Sequence, residues 1–161
     1  MDVFEFAMKA ERDGEKYYRD LAAKSTDTGL ATILGMLADA EVTHYNTLKE
    51  MAEGTDPLVG ETTLLSNVKN VFVRMRDQKK AFDFNVSHID LYKKAQDLER
   101  KSEEFYLQRA DIAEGSAQKE LFVRIARQER EHWVILQNLI EFLSRPTTWL
   151  ENAEWHHLDE Y

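Results

Sequence analysis

The chain reads as an all-α protein: a four-helix bundle with a long crossover between its second and third helices and a short helix near the C-terminus. Three observations predict this. Apolar residues recur at three- and four-residue steps over long stretches. Clusters of Gly, Pro, Ser, Thr and Asp interrupt that rhythm at a few places. The first half of the chain also overlays on the second at a fixed offset of 88 residues. At 161 residues the length suits one domain, 1–161, with a sizeable core.

The first helix is expected from about Asp2 to Lys24, with Phe4, Ala7, Met8, Glu11, Tyr18 and Leu21 turned inward. Ser25 to Thr28 offers turn and N-cap chemistry for a second helix reaching about Glu53, and so short a connection makes the two helices antiparallel neighbours. Gly54 to Thr63, with Asp56, Pro57 and Gly60, breaks the pattern and opens a crossover over 54–86. Its length has a reason: if the halves are related by a two-fold axis, the chain must travel the length of the bundle between them. Leu64, Leu65, Val68, Val71, Phe72 and Met75 keep helical spacing within it. Lys69, Arg74, Arg76, Lys79 and Lys80 give the crossover local positive charge, read as a solvated face in preference to a docking surface for an acidic electron donor.

The third helix is expected from about Ser87 to Ala113 and the fourth from about Ser116 to Ser144, separated at Glu114-Gly115. Pro146 stops the fourth. In the tail, 145–161, Thr147 or Thr148 is expected to cap a last helix from Trp149 to Trp155, whose aromatics need a surface to bury against.

The repeated units, 2–53 and 87–144, share Ala7/Ala95, Glu11/Glu99, Arg12/Arg100, Glu15/Glu103, Tyr18/Tyr106, Ala22/Ala110, Ala38/Ala126, Glu41/Glu129, His44/His132 and Leu48/Leu136. All but the Arg pair step by three or four, so each set lies on one helix face. Two lone glutamates and two Glu-x-x-His pairs on four helices form the ligand set of a carboxylate-bridged di-metal site. One such pair would be unremarkable in a Glu-rich chain; two in phase, each preceded by a matching Ala-x-x-x-Glu helix, favour a metal site strongly. By analogy with natural and designed di-metal bundles, Glu41 and Glu129 are expected to bridge, His44 and His132 to bind one metal each, and Glu11 and Glu99 to be terminal carboxylates. The i, i+3 spacing puts carboxylate and imidazole on the same face of the helix.

Composition narrows the metal. Cysteine is absent, which excludes disulfides, thiol nucleophiles, Cys-ligated zinc and iron–sulfur centres. Carboxylate and imidazole suit iron, so two iron ions are expected, with manganese or zinc as alternatives. The formal charge of −9 argues against nucleic-acid binding. Four inward glutamates would repel one another until two divalent cations balance them, so the metal-free chain is expected to be the less stable form at neutral pH. No apolar run approaches a membrane span, and the start Met1-Asp2-Val3-Phe4-Glu5 lacks the features of a secretory signal; a cytoplasmic location is the expectation.

Tyr18 and Tyr106 follow Glu11 and Glu99 by two helical turns, and each phenol is a candidate to hold a ligand carboxylate by a hydrogen bond; a tyrosine satisfied elsewhere is the equal alternative. Glu15 and Glu103 read as solvated carboxylates at the edge of the stripe before they read as extra ligands. His156 and His157 are adjacent and diverge by about 100° on a helix, a poor chelating geometry; they and His88 are expected at the surface.

These motifs resemble the rubrerythrin-like branch of the ferritin-like superfamily. The resemblance is carried by Ala7-Met-Lys-Ala-Glu11-Arg-Asp-Gly14-Glu-Lys-Tyr17-Tyr18, Leu37-Ala-Asp-Ala-Glu41-Val-Thr-His44, Ala95-Gln-Asp-Leu-Glu99 through Phe105-Tyr106, and Ile125-Ala-Arg-Gln-Glu129-Arg-Glu-His132, and extends to the tail Trp149–Trp155. It implies a di-iron bundle, usually a homodimer, that reduces hydrogen peroxide or oxidises ferrous iron with O2 or peroxide. Full rubrerythrins feed electrons through a four-cysteine rubredoxin domain; with no cysteine here, the resemblance implies an external donor such as a rubredoxin-like protein. The family also carries an additional helix-three glutamate, and Ser102 stands three residues after Glu99 instead, with Glu103 the nearest replacement. The alternatives to a peroxidase are a ferroxidase or iron-handling protein, and a metal-stabilised peroxide sensor or interaction module.

Overall fold

The computed structural model describes residues 1–58, 60, 62–78, 82 and 84–151. Among these, the secondary structure is helical throughout. The elements are α1 (Val3–Lys24), α2 (Thr28–Ala52), α3 (Leu64–Gln78), a 3₁₀ turn (Val86–His88), α4 (Ile89–Asp111), α5 (Ser116–Ser144) and α6 (Pro146–Glu151). No helix among the described residues is long and apolar enough to cross a membrane.

Local chemistry sets the ends. The Asp2 carboxylate accepts from the Glu5 N–H at 2.8 Å and Asp27 accepts from Leu30 N–H at 2.9 Å, so each side chain satisfies a donor that has no partner within the helix. Gly54, at φ +86°, closes α2: its N–H reaches Met51 O, and the Thr55 N–H reaches Glu50 O. The C-terminal expectation needs one correction. Pro146 ends α5 but also opens α6, so Thr147 and Thr148 lie inside the first turn and neither caps it. Proline suits that position because its fixed φ is helical and its missing N–H would have had no helical partner. Trp155, His156 and His157, like Lys79 and Lys80, fall outside the described residues.

The helices α1 and α2 pack as one hairpin and α4 and α5 as the other. Side-chain contacts give the order between hairpins. Tyr18, late in α1, meets Glu99, and Glu11, earlier in α1, meets Tyr106, so α1 and α4 run antiparallel. His44 meets Glu129 and Glu41 meets His132, so α2 and α5 do the same. That arrangement leaves α2 and α4 parallel, which is why the crossover must return along the bundle. Its helix α3 lies on α2, α5 and α6, with Leu64, Val68, Val71, Phe72 and Met75 buried. Trp149 of α6 finds the surface it needs there, fully buried with its ring 4.7 Å from that of Phe72 and 5.8 Å from that of Phe142. The basic residues Arg74 and Arg76 are exposed on α3, and Lys69 is half-buried.

The Arg pair that falls off the repeat's stripes also has a structural role. Arg12 stacks over Tyr45 at 4.5 Å and donates to its hydroxyl, while Arg100 lies 5.9 Å from the Trp133 ring. Tyr45 and Trp133 are themselves 88 residues apart, so each hairpin carries the same cation–π contact between its two helices.

Two apolar clusters fill the bundle. One gathers Tyr18, Leu37, Ala38, Ala95, Ile135 and Leu136 with α3 and α6; the other gathers Ala7, Leu48, Tyr106, Ala110, Phe122 and Ile125. Each long helix contributes to both, and between them lies a polar layer.

Candidate metal centre

That layer consists of Glu11, Glu41, His44, Glu99, Glu129 and His132, none more than 4% exposed. The structure brings all six together. Ligand atoms of Glu11, Glu41, His44 and Glu129 lie within 4.8 Å of one another, and so do those of Glu41, Glu99, Glu129 and His132. Glu41 and Glu129 belong to both groups, the position expected of bridging carboxylates. His44 Nδ1 lies 2.7 Å from Glu129 Oε1 and 3.6 Å from Glu11 Oε2; His132 Nδ1 lies 3.2 Å from Glu99 Oε1 and 3.4 Å from Glu41 Oε1. The two imidazoles face each other nearly parallel, ring centres 5.6 Å apart.

The donor set can be tested for fit to cations. Glu11 Oε2, Glu99 Oε2, Glu129 Oε1 and His44 Nδ1 are buried without a hydrogen-bond partner. His44 Nδ1 and Glu129 Oε1 stand at contact distance yet are not aligned to bond each other. Unsatisfied polar atoms are costly in a dry interior, and such atoms directed at common points are what ligands of an ion look like. Four carboxylates and two imidazoles therefore fit a pair of divalent cations in charge and in number.

Electrostatics divide the carboxylates into two kinds. Burial pushes Glu41 and Glu129 well above the ordinary carboxylate range, and the charges of Glu11 and Glu99 push them further. Burial acts on Glu11 and Glu99 in the same sense but is outweighed. The neighbouring Glu41 carboxyl, then His44 and the Tyr106 hydroxyl, lower the Glu11 carboxyl. The charge and hydrogen bond of His132, with the neighbouring Glu129 carboxyl and the Tyr18 hydroxyl, hold Glu99 down at about 2. Burial opposes the charge on His44, yet Glu11 and Glu129 raise it well above its usual value. Without metal, protons at Glu41, Glu129 and His44 thus relieve the repulsion that cations would otherwise neutralise.

Tyr18 and Tyr106 each hold a carboxylate of the polar layer, and they do so across the bundle. Tyr18 donates to Glu99 Oε1 at 2.5 Å and Tyr106 to Glu11 Oε1 at 2.6 Å. Seven residues along a helix is a rise of about 10 Å, beyond a phenol's reach back to its own glutamate, whereas the antiparallel partner helix presents one directly. Burial, then the neighbouring carboxylates, raise both phenols well above their usual value, so they remain donors.

Glu15 is ion-paired with Arg19 at 2.8 Å and Glu103 is half-buried; neither is in a candidate metal group among the described residues. His88 is half-buried before α4, not fully at the surface, and is likewise outside those groups. Two residues of the site escaped the sequence reading. Gln128 Oε1 lies 2.7 Å from His44 Nε2, while its amide nitrogen donates to Gly60 O of the crossover at 3.5 Å. That orientation makes Oε1 the acceptor, so His44 Nε2 carries a proton in either charge state and Nδ1, which faces the carboxylates, is the nitrogen a metal would take. Glu131 is buried with an unpartnered Oε1, and burial raises it despite the nearby His132 and His44. Their counterparts in the first half are Ala40 and Thr43, so the repeat carries no sign of either.

Gly14 is the one glycine that the site requires small. A Cβ there would stand 3.3 Å from Glu41 Cδ, so its absence lets α1 approach a shared carboxylate.

A family model described as Rubrerythrin matches residues 2–140. The chain belongs to the rubrerythrin family. The match covers α1 through most of α5, and with them all six glutamate and histidine residues of the polar layer. Membership in the rubrerythrin family and the buried carboxylate–imidazole cluster agree on a helical bundle compatible with a metal centre. No significant match emerges from comparison with curated proteins or with solved structures.

Proposed function

We propose that this chain is a non-haem di-iron oxidoreductase that reduces hydrogen peroxide with electrons from an external donor. The observation that carries the reading is the sharing of Glu41 and Glu129 between two otherwise separate ligand groups. On this reading Glu11 and His44 would help hold one ion and Glu99 and His132 the other, with Glu41 and Glu129 available to both. Two ferrous ions held there would supply the two electrons that cleave an O–O bond. The protein supplies geometry and charge. Tyr106 and Tyr18 donate to Oε1 of Glu11 and of Glu99, which orients each carboxylate and leaves its Oε2 without a hydrogen-bond partner. Gln128 fixes the His44 ring. The apolar clusters bound the layer above and below along the bundle. A rubredoxin-like donor and homodimeric assembly belong to the same reading and rest on the family resemblance; a cytoplasmic setting is proposed with them.

The test is anaerobic loading with Fe(II), a count of iron per chain, and an absorption spectrum after stoichiometric hydrogen peroxide. Two irons and rapid appearance of a diferric spectrum are expected, with binuclear loading lost in Glu41→Ala and in Glu129→Ala. Two irons retained in both variants would sink the bridging assignment. Continued uptake of iron with mineral formation would assign the site to ferrous-iron oxidation instead.

A further inference from the structure

The polar layer is open on one side. A groove of about 560 Å³ runs between α1 and α4 and ends on Glu41, Glu99 and Glu129. It follows the internal symmetry: Ala7 and Ala95, Gly14 and Ser102, and Tyr18 and Tyr106 face it as pairs 88 residues apart. Small side chains at the first two pairs hold it open. The remaining walls are mainly apolar, with Tyr17 and Phe105 half-buried and Phe6 and Leu98 exposed at the mouth. Hydrogen peroxide does not need such a space. A water molecule's share of liquid volume is about 30 Å³, so the groove exceeds a two-oxygen molecule by roughly an order of magnitude. Apolar walls also offer a small polar solute nothing, whereas they favour a hydrocarbon chain. The mouth has its own charge pattern. Lys94 and Lys101 stand there exposed, and the one acidic residue, Asp13, is already paired with Lys9 at 2.8 Å. An anionic head group is therefore matched at the rim and an apolar chain along the wall.

We propose that this groove admits the hydroperoxide of a fatty acid, seats its chain between α1 and α4, and presents its O–O group to the carboxylate layer. The proposal rests on the peroxide-reducing reading and names a substrate class for that same site. Cleavage of the O–O bond would take two electrons, which a ferrous pair held by the layer would supply, and two protons from water, leaving the hydroxy fatty acid and a water. The external donor then returns the electrons.

The experiment uses the full chain loaded anaerobically with Fe(II). Its oxidation by linoleic acid hydroperoxide and by hydrogen peroxide is followed by stopped flow, beside equilibrium binding of the fluorescent fatty acid cis-parinaric acid. Ala10 lines the groove from an exposed position on α1, so Ala10→Phe narrows the groove without touching the polar layer. The expected result is probe binding, and a lipid-to-hydrogen-peroxide rate ratio that falls at least tenfold in Ala10→Phe. Lys94→Glu with Lys101→Glu should lower the same ratio for the carboxylate-bearing peroxide but not for neutral cumene hydroperoxide. If neither peroxide oxidises the iron while Ala10→Phe still weakens probe binding, the peroxidase reading fails and the groove stands as an acyl-chain site. Probe binding that is absent or indifferent to Ala10→Phe, or an unchanged rate ratio, overturns the proposal. So does a dimer that Ala10→Phe dissociates, which would give the groove to a second copy of the chain.

Discussion

Gln128→Leu should weaken one metal site and spare the other. The substitution keeps most of the side-chain volume but removes the acceptor 2.7 Å from His44 Nε2, leaving that N–H without its partner. An orphaned buried donor costs about 1–3 kcal/mol. Gln128 is half-buried, so water can take up part of the bond and the lower half of that range applies. At about 1.4 kcal/mol per decade this is roughly a tenfold loss of affinity, near the low end of the 10–100-fold typical when a ligand's outer hydrogen bond is removed. The loss should fall on the ion bound by Glu11 and His44 alone, because Ala40 occupies the equivalent place beside the other half-site and offers no acceptor to His132. Anaerobic calorimetric titration with Mn(II), and again with Fe(II) against a competing chelator, separates the two binding steps. The wild-type chain should show two steps, and Gln128→Leu should move one of them. Gln128→Glu restores an acceptor and should restore the affinity. Equal weakening of both steps, or none, would refute the argument that the amide acts by holding the His44 tautomer.

Three further outcomes are expected. In the metal-free chain the folded state holds extra protons at Glu41, Glu129 and His44, whose values are raised. Their contribution is present at low pH and lost as pH rises through the folded values. The lowered carboxyls of Glu11 and Glu99 act oppositely, losing theirs only on strong acidification, near pH 2 for Glu99. The chelated protein should therefore melt at lower temperature at about pH 9 than at about pH 6, and saturating divalent metal should raise Tm most at the higher pH; a chelated Tm that is flat or rising over this interval would contradict the charge assignment. Tyr18→Phe should weaken the ion held by Glu99 and His132, and Tyr106→Phe the ion held by Glu11 and His44, each by about tenfold. Competition titrations of the two variants should show opposite half-sites affected. Finally, Trp149→Ala removes a fully buried indole between Phe72 and Phe142 and should cost about 3–5 kcal/mol, or roughly 6–20 °C in Tm for a chain of this size. Thermal unfolding checks this, and a shift below about 3 °C would mean that α6 contributes little to the core.

Much of this molecule is legible from one dimension because its fold and its site share a period. Glu11, Glu41, His44 and their partners 88 residues on occupy helix faces that must turn inward, and two copies of one pattern on four helices leave few ways to bury it. The crossover's length and the apolar stripe from Leu64 to Met75 likewise follow from where the second hairpin must begin. Other features depend on contacts between segments that no spacing encodes. Tyr18 and Tyr106 lie on the expected face, yet only the antiparallel approach of α1 to α4 decides that each serves the other half's glutamate. Gln128 and Glu131 break the repeat, so a reading that compares the halves passes over them. The groove is a gap between helices, produced by small residues such as Ala7, Gly14, Ala95 and Ser102 that look unremarkable singly. Periodicity in the sequence determined which residues face inward. Only tertiary packing decided which of them meet, because hydrogen-bond partners and empty space are properties of neighbouring helices and not of any one of them.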